Sequence, residues 1–196
     1  MACKVSLGLQ SLLTPDWAKQ GFAGRGVLLD WCKWAEQKAI PFDPLKTHKI
    51  PLEQLKQVAK DQNVDFKLGD ILIIRSGYIR QLSSMNVAAQ TAYTTTSPMT
   101  AIGVEQSVQM MGFIWENHFS LVAGDTAAFE AWPTDKDYHL HEVVISGFGC
   151  GIGELWNLEE LSKYCAEQGR YTFFFTAEPL NVPGGVATPP NALAIF

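Results

Sequence analysis

The sequence is poor in paired cysteine. Its four cysteines, Cys3, Cys32, Cys150 and Cys165, make no C-x-x-C pair and no dense framework. That excludes a disulfide scaffold and leads us to expect free thiols in a reducing compartment. Concentrated positive charge is also missing. There are 15 Lys and Arg against 20 Asp and Glu, for a net charge of -5, and the pI is near 5.3. The basic residues are scattered, whereas a phosphate backbone needs a basic face, so nucleic acid is excluded as a partner. No apolar run approaches the roughly 20 residues that cross a bilayer, which excludes a membrane span. The opening MACKVSLGLQSLLTP has one Lys and a mild apolar run broken by Gly8 and Gln10. A signal peptide needs a stronger apolar segment and a small-residue cleavage site, so the cytosol is the expected location. Internal repeats, low-complexity tracts and Pro/Gly-rich linkers are absent as well.

What is present reads as one globular domain. The chain has 196 residues, of which 47% are hydrophobic and 18% charged, enough to bury a core. Val27–Leu29 is a short apolar run suited to a buried strand. Pro51 opens a helix whose apolar positions are Leu52, Leu55, Val58 and Ala59. ILIIRSG is a β-branched run of the kind covered on both faces of a sheet. Residues 78–102 are rich in Thr and Ser, show no period, and read as a long surface loop. Helical spacing returns in GVEQSVQMMGFIWENH, with Val104, Val108, Met111 and Trp115 on one stripe. FSLVAGD then reads as a strand, WNLEELSKYCAEQG as a helix closed by Gly169, and RYTFFFTAEPL as an aromatic-rich strand. Strands alternating with helices predict an α/β domain.

The chemistry concentrates in LHEVVISGFGCGIGELWNLEEL, which holds His141 and Glu154 among apolar and small residues. Val143, Val144, Ile145, Ile152 and Leu155 argue that the stretch is buried, and buried ionisable groups need a partner or a metal. An imidazole and a carboxylate suit a divalent cation or acid/base work, although a catalytic metal takes about three protein ligands. The alternative is a satisfied core histidine with a carboxylate capping the following helix. In AGDTAAFEAWP, Asp125 follows a strand, where ligands bind in α/β sheets, so it is a substrate-lining candidate or else a turn former. His139 reads as an exposed loop residue, His118 as a helix-end residue and His48 as a cap or packing group. Cys150 between glycines is either a nucleophile or, more simply, a small buried hydrophobe. GFGCGIG lacks the Lys and Ser/Thr of a P-loop and the context of a dinucleotide fingerprint.

Several blocks taken together carry a resemblance. GRGVLLDW, GDILIIRSGY, GVEQSVQMMGFIWENHFSLVAGDTAAFEAWP, LHEVVISGFGCGIGELWNLEEL and FFFTAEPLNVPGGVATPPNALAIF resemble, in that order, the cyclase family and its fungal branch. This is the superfamily of kynurenine formamidase and isatin hydrolase. The resemblance covers about 15–196 as one cyclase-like domain and leaves 1–14 unmatched. It implies an α/β fold of the swivelling β/β/α kind, N-terminally shortened, and a divalent zinc or manganese ion that activates water. His141 and Glu154 match late metal-shell residues of the family, whereas the earlier H-x-G-T-H-x-D signature has no counterpart here, leaving an incomplete shell. The implied function is a metal-dependent hydrolase or cyclase of a small cyclic or aromatic amide, lactone or polyketide-like metabolite. Alternatives are a metal-free cyclase or isomerase of secondary metabolism and a truncated, non-catalytic member. A small-molecule substrate is the expected partner, with a homodimer as the assembly to look for.

Overall fold

The apolar run Val27–Leu29 is the buried end of a longer strand, β1 (Phe22–Leu29). The structure, a computed structural model, describes residues 14–183, 187–189 and 191–196. The N-terminal segment read at 1–14, Thr14 excepted, lies outside them, and so does Cys3. Helix α1 (Thr14–Gln20) precedes β1. There follow α2 (Trp31–Gln37), β2 (Lys49–Ile50), α3 (Leu52–Asp61), β3 (Ile71–Ile74), α4 (Tyr78–Ser84), α5 (Val87–Thr94) and β4 (Gly103–Val104). Next come α6 (Val108–Glu116), β5 (Leu121–Gly124), a π-helical turn (Glu142–Gly147), β6 (Gly151–Gly153), α7 (Glu159–Gln168), β7 (Thr172–Glu178) and β8 (Asn191–Ile195).

Six strands form one sheet in the order β6-β5-β3-β1-β7-β8. β6, β5, β3 and β1 run parallel, β7 is antiparallel to β1, and β8 is antiparallel to β7. β2 and β4 form a separate parallel pair. Alternate residues of a strand face opposite sides, and both sides of the parallel strands are covered. Val27, Leu29, Leu72, Ile74 and Val122 join a core with residues of α2, α3 and α6. Leu28, Ile71, Ile73, Leu121 and Ala123 join Leu158, Cys165, Phe173 and Phe175 on the other face. Full burial of one such aliphatic side chain contributes about 1.5–3 kcal/mol, so the short parallel strands anchor both layers of the domain. The α/β class expected from the sequence is the one observed.

Several helices start at side-chain caps. Asp30 accepts from Lys33 N at α2, and Ser107 from Met110 N at α6. Glu105 accepts from Leu52 N at the start of α3, filling an orphan donor of the first turn. Gly169 closes α7 with φ 60.

Three sequence expectations need correction. Residues 78–102 are not an uninterrupted loop: α4 and α5 occupy most of the segment, with Asn86 capping Ala89 N. The helix read from Val104 begins only at Val108, because Ser107 is the cap; its buried residues are Met110, Phe113 and Ile114, and Trp115 is 54% exposed. The stretch after His141 is only partly core: Val144 is buried, Val143 and Ile145 are intermediate, and Leu155 is exposed.

Candidate functional site

The site is assembled from three segments at the β5–β6 edge. The loop after β5 carries Glu130, the turn into the π-helix carries His141, and Glu154 follows β6 directly. His141 Nδ1 lies 2.8 Å from Glu130 Oε1, and His141 Nε2 lies 3.1 Å from Glu154 Oε1. One imidazole therefore bridges two carboxylates. The Glu130 side chain is 0% exposed, whereas those of His141 and Glu154 are 35% and 32% exposed. The inner carboxylate is sealed, and the outer pair is within reach of a solute.

Local backbone features hold these residues. Leu140 N donates to Glu130 Oε2 at 2.7 Å, and His141 N donates to Oε1 at 3.4 Å. Val104 N donates to Phe129 O at 3.0 Å and Ala131 N to Val104 O at 2.9 Å, which stitches the Glu130 segment to β4. Gly103 permits that approach: a Cβ there would stand 2.2 Å from the Glu130 carbonyl carbon. Glu154 is held from behind, with Leu155 N donating to Thr126 O at 3.0 Å and Trp156 N to Gly124 O at 3.1 Å. Phe129 and Leu155, each next to one of the carboxylates, adopt positive φ of 52 and 55. Such a conformation costs a non-glycine residue about 1–3 kcal/mol and tends to cluster at functional sites.

Electrostatics follow from the pairing. Hydrogen bonds to Glu130 and then to Glu154 outweigh burial and raise the His141 pKa to about 9. For Glu130, burial pushes upward, but the His141 ring and the Leu140 and His141 amides together hold it below the usual range. At neutral pH the ring is thus an imidazolium that donates to both carboxylates.

His141 and Glu154 come together, as the sequence suggested, but not as a core histidine and a helix cap: His141 is partly exposed, and α7 begins at Glu159 with Leu158 before it. Asp125 belongs to a different hydrogen-bond set. It is 0% exposed and clamps the turn after β3, accepting from Ser76 N at 2.6 Å, Ser76 Oγ at 2.7 Å and Gly77 N at 2.8 Å. Burial, outweighing those bonds, raises its pKa. Cys150 is buried, and burial pushes its thiol up to about 12, away from the thiolate a nucleophile needs. Its glycine neighbours serve close packing: a Cβ on Gly153 would stand 2.5 Å from the Trp156 ring, and one on Gly151 2.7 Å from Leu121. His139 is half-buried and stacked on Trp132 rather than exposed. His48 packs beside Trp31 and Phe42, and His118 follows the end of α6 with φ 51. Glu130, which follows the same strand as Asp125 in AGDTAAFEAWP, is the site residue to which sequence reading gave no role. Its one signal was a carboxylate set among apolar residues in AFEAW, the same signal that singled out Glu154.

No family model matches the sequence, and no curated protein matches it. Solved structures do. A structure described as a novel cyclase is 30% identical, with a TM-score of 0.79 over 93% of this chain and 57% of its own. The fold is that of the cyclase-like superfamily. An isatin hydrolase bound to the product analogue thioisatinate shares it at 12% identity and a TM-score of 0.61, over 87% of this chain and 58% of its own. Isatin hydrolase A from Ralstonia solanacearum does so at 18% and 0.60, over 87% and 59%. The chain therefore spans under two thirds of the length of each of these three structures. Among its described residues, no helix is long and apolar enough to cross a membrane.

The resemblance implied a divalent metal. His141 Nε2 and Glu154 Oε1, 3.1 Å apart, stand at hydrogen-bond distance, closer than the roughly 3.3–3.6 Å that bonds of about 2.0–2.2 Å at a tetrahedral angle leave between two ligand atoms. Two donors do not complete a catalytic centre, and among the described residues no group of three or more His, Cys, Asp or Glu is placed to hold a metal ion. The chemistry that Glu130, His141 and Glu154 supply by themselves is proton transfer.

Proposed function

We propose that this chain is a cyclase-type hydrolase or cyclase that acts on a small cyclic or aromatic amide or lactone, with His141 and Glu154 as its reactive pair. The observation that carries this reading is the single imidazole bridging a sealed and an accessible carboxylate. In ring opening, Glu154 takes the proton of a water attacking the carbonyl carbon, and the C–N or C–O bond of the collapsing tetrahedral intermediate breaks. The same carboxyl returns the proton to the leaving atom. The His141 imidazolium supplies positive charge beside the developing anion and keeps Glu154 oriented. Ring closure uses these steps in reverse.

Isatin is the probe suggested by the neighbours that act on it, and aryl lactones extend the panel. Ring opening by the purified chain, followed by absorbance, is expected to fall about 10²–10⁴-fold in Glu154→Gln and in His141→Ala. Turnover of any panel member that is unchanged in both variants overturns the reading.

A second reading makes the pair part of a zinc or manganese shell. It is favoured by the carboxylate behind His141, which is how metal-binding histidines are commonly oriented. Elemental analysis separates the two readings: about one equivalent of metal, with activity lost in EDTA, supports the shell, and activity that survives EDTA in metal-free protein supports proton transfer alone.

A further inference from the structure

We propose that Glu130 is the positioning residue of the site, aiming the His141 ring at Glu154 so that Nδ1 faces inward and Nε2 outward; this rests on His141 and Glu154 being the reactive pair. Three observations converge on it. First, the Glu130 carboxylate holds both the main chain and the ring of the same residue: it accepts from Leu140 N, His141 N and His141 Nδ1. A ring gripped at its amide and at one nitrogen has little freedom about either side-chain torsion. Second, Glu130 is fully buried, and its cationic partner is His141, so separating them strands a charge in the interior. Third, the backbone is forced to present it: Phe129 is left-handed at φ 52, and β4 approaches so closely at Gly103 that no side chain fits. A carboxylate serving only to cap the turn at 140–141 needs the two amide bonds but not the imidazole bond. The third contact therefore points to aiming the ring.

The test is imidazole ¹⁵N NMR of the full chain, with His141 assigned through His141→Gln. In wild type, a slowly exchanging Nδ1–H is expected. In Glu130→Gln and Glu130→Asp, faster Nδ1–H exchange is expected, less marked in Glu130→Asp, which keeps the charge. In isatin ring opening, Glu130→Gln is expected to lower kcat about 10–100-fold, as loss of an orienting partner does, with KM changed less than about twofold. Wild-type imidazole signals in either variant overturn the proposal. So does a lowered melting temperature with kcat, KM and pH profile unchanged. If Glu130→Gln does not fold, Glu130→Asp decides by the same spectra. If His141→Ala and Glu154→Gln leave turnover intact, the functional reading fails, and the spectra still decide whether Glu130 orients the ring.

Discussion

Arg75 Nη1 sits 2.8 Å from Asp30 Oδ1, in an ion pair that is almost wholly buried between the ends of β3 and β1. Glu159, at the start of α7, completes it, accepting from Arg75 Nε at 2.9 Å and from Nη2 at 2.7 Å. Asp30 also accepts from Ser162 Oγ and from Lys33 N. The junction thus ties two neighbouring strands to the helix that covers them.

Removing its cation exposes the cost of that burial. Arg75→Met strands the Asp30 carboxylate and is expected to destabilise the fold by about 3–5 kcal/mol. Glu159 is part-exposed, so Glu159→Gln is expected to cost only about 1 kcal/mol. Urea denaturation of both variants checks the order. Equal losses would show that Asp30 does not depend on Arg75.

The His141 pairing sets a pH dependence. Free histidine titrates near 6.5, and in the fold the value is raised to about 9. A raised folded value means that protonation favours the fold: the contribution is whole below pH 6.5 and drains away as pH climbs through about 9. Glu130 acts at the other end. Its lowered value gives a contribution present above the ordinary glutamate value of 4.5 and lost on acidification. In EDTA, the melting temperature of wild type is expected to drop more than that of His141→Gln between about pH 7 and pH 10. Parallel curves would dissolve the pairing.

Gly103 is the tightest glycine beside the site. A methyl group at Gly103 would stand 2.2 Å from the Glu130 carbonyl carbon and 2.5 Å from Ala131 N, and backbone yields less readily than a flexible side chain. Gly103→Ala is expected to cost about 1–3 kcal/mol or more, whereas Gly112→Ala, with nothing near its added Cβ, is expected to be neutral or slightly stabilising. Comparing the two denaturation midpoints tests this.

The outer face of β7–β8 is apolar. Phe174, Leu193 and Ile195 are each about half exposed and lie on one face, since Phe174 pairs with Ile195 and Thr176 with Leu193. β8 is the last strand of the sheet, and an exposed apolar edge invites association. Leu193→Lys is expected to shift the molecular weight from light scattering toward the monomer at high concentration while leaving the melting temperature nearly unchanged. An identical concentration dependence would clear this face of a role.

β1, β3, β5 and β7 were legible because each contains a contiguous apolar run, and α3 and α7 because their apolar residues recur at helical spacing; β2, β4, β6 and β8 are too short or too mixed to show such a run. Helices α4 and α5 left no such trace. α5 buries no residue and is stabilised by the Asn86 cap, while Gln90 ties it back to Leu82 O and Met85 O, contacts without a periodic signature. Of the site, His141 and Glu154 were legible as ionisable residues in apolar surroundings. Glu130 was not, because its link to His141 depends on a loop folding back across β4 and on Phe129 taking a conformation that its residue type disfavours.

In the β6-β5-β3-β1-β7-β8 sheet, Glu154 follows one margin and β8 forms the opposite one. A spin label or fluorophore coupled at exposed Ala192 stands five strand spacings away, up to roughly 24 Å at about 4.8 Å each. That margin can host a reporter too remote to perturb the imidazole, so that ligand arrival at His141 becomes readable as a distance even before any substrate has been identified.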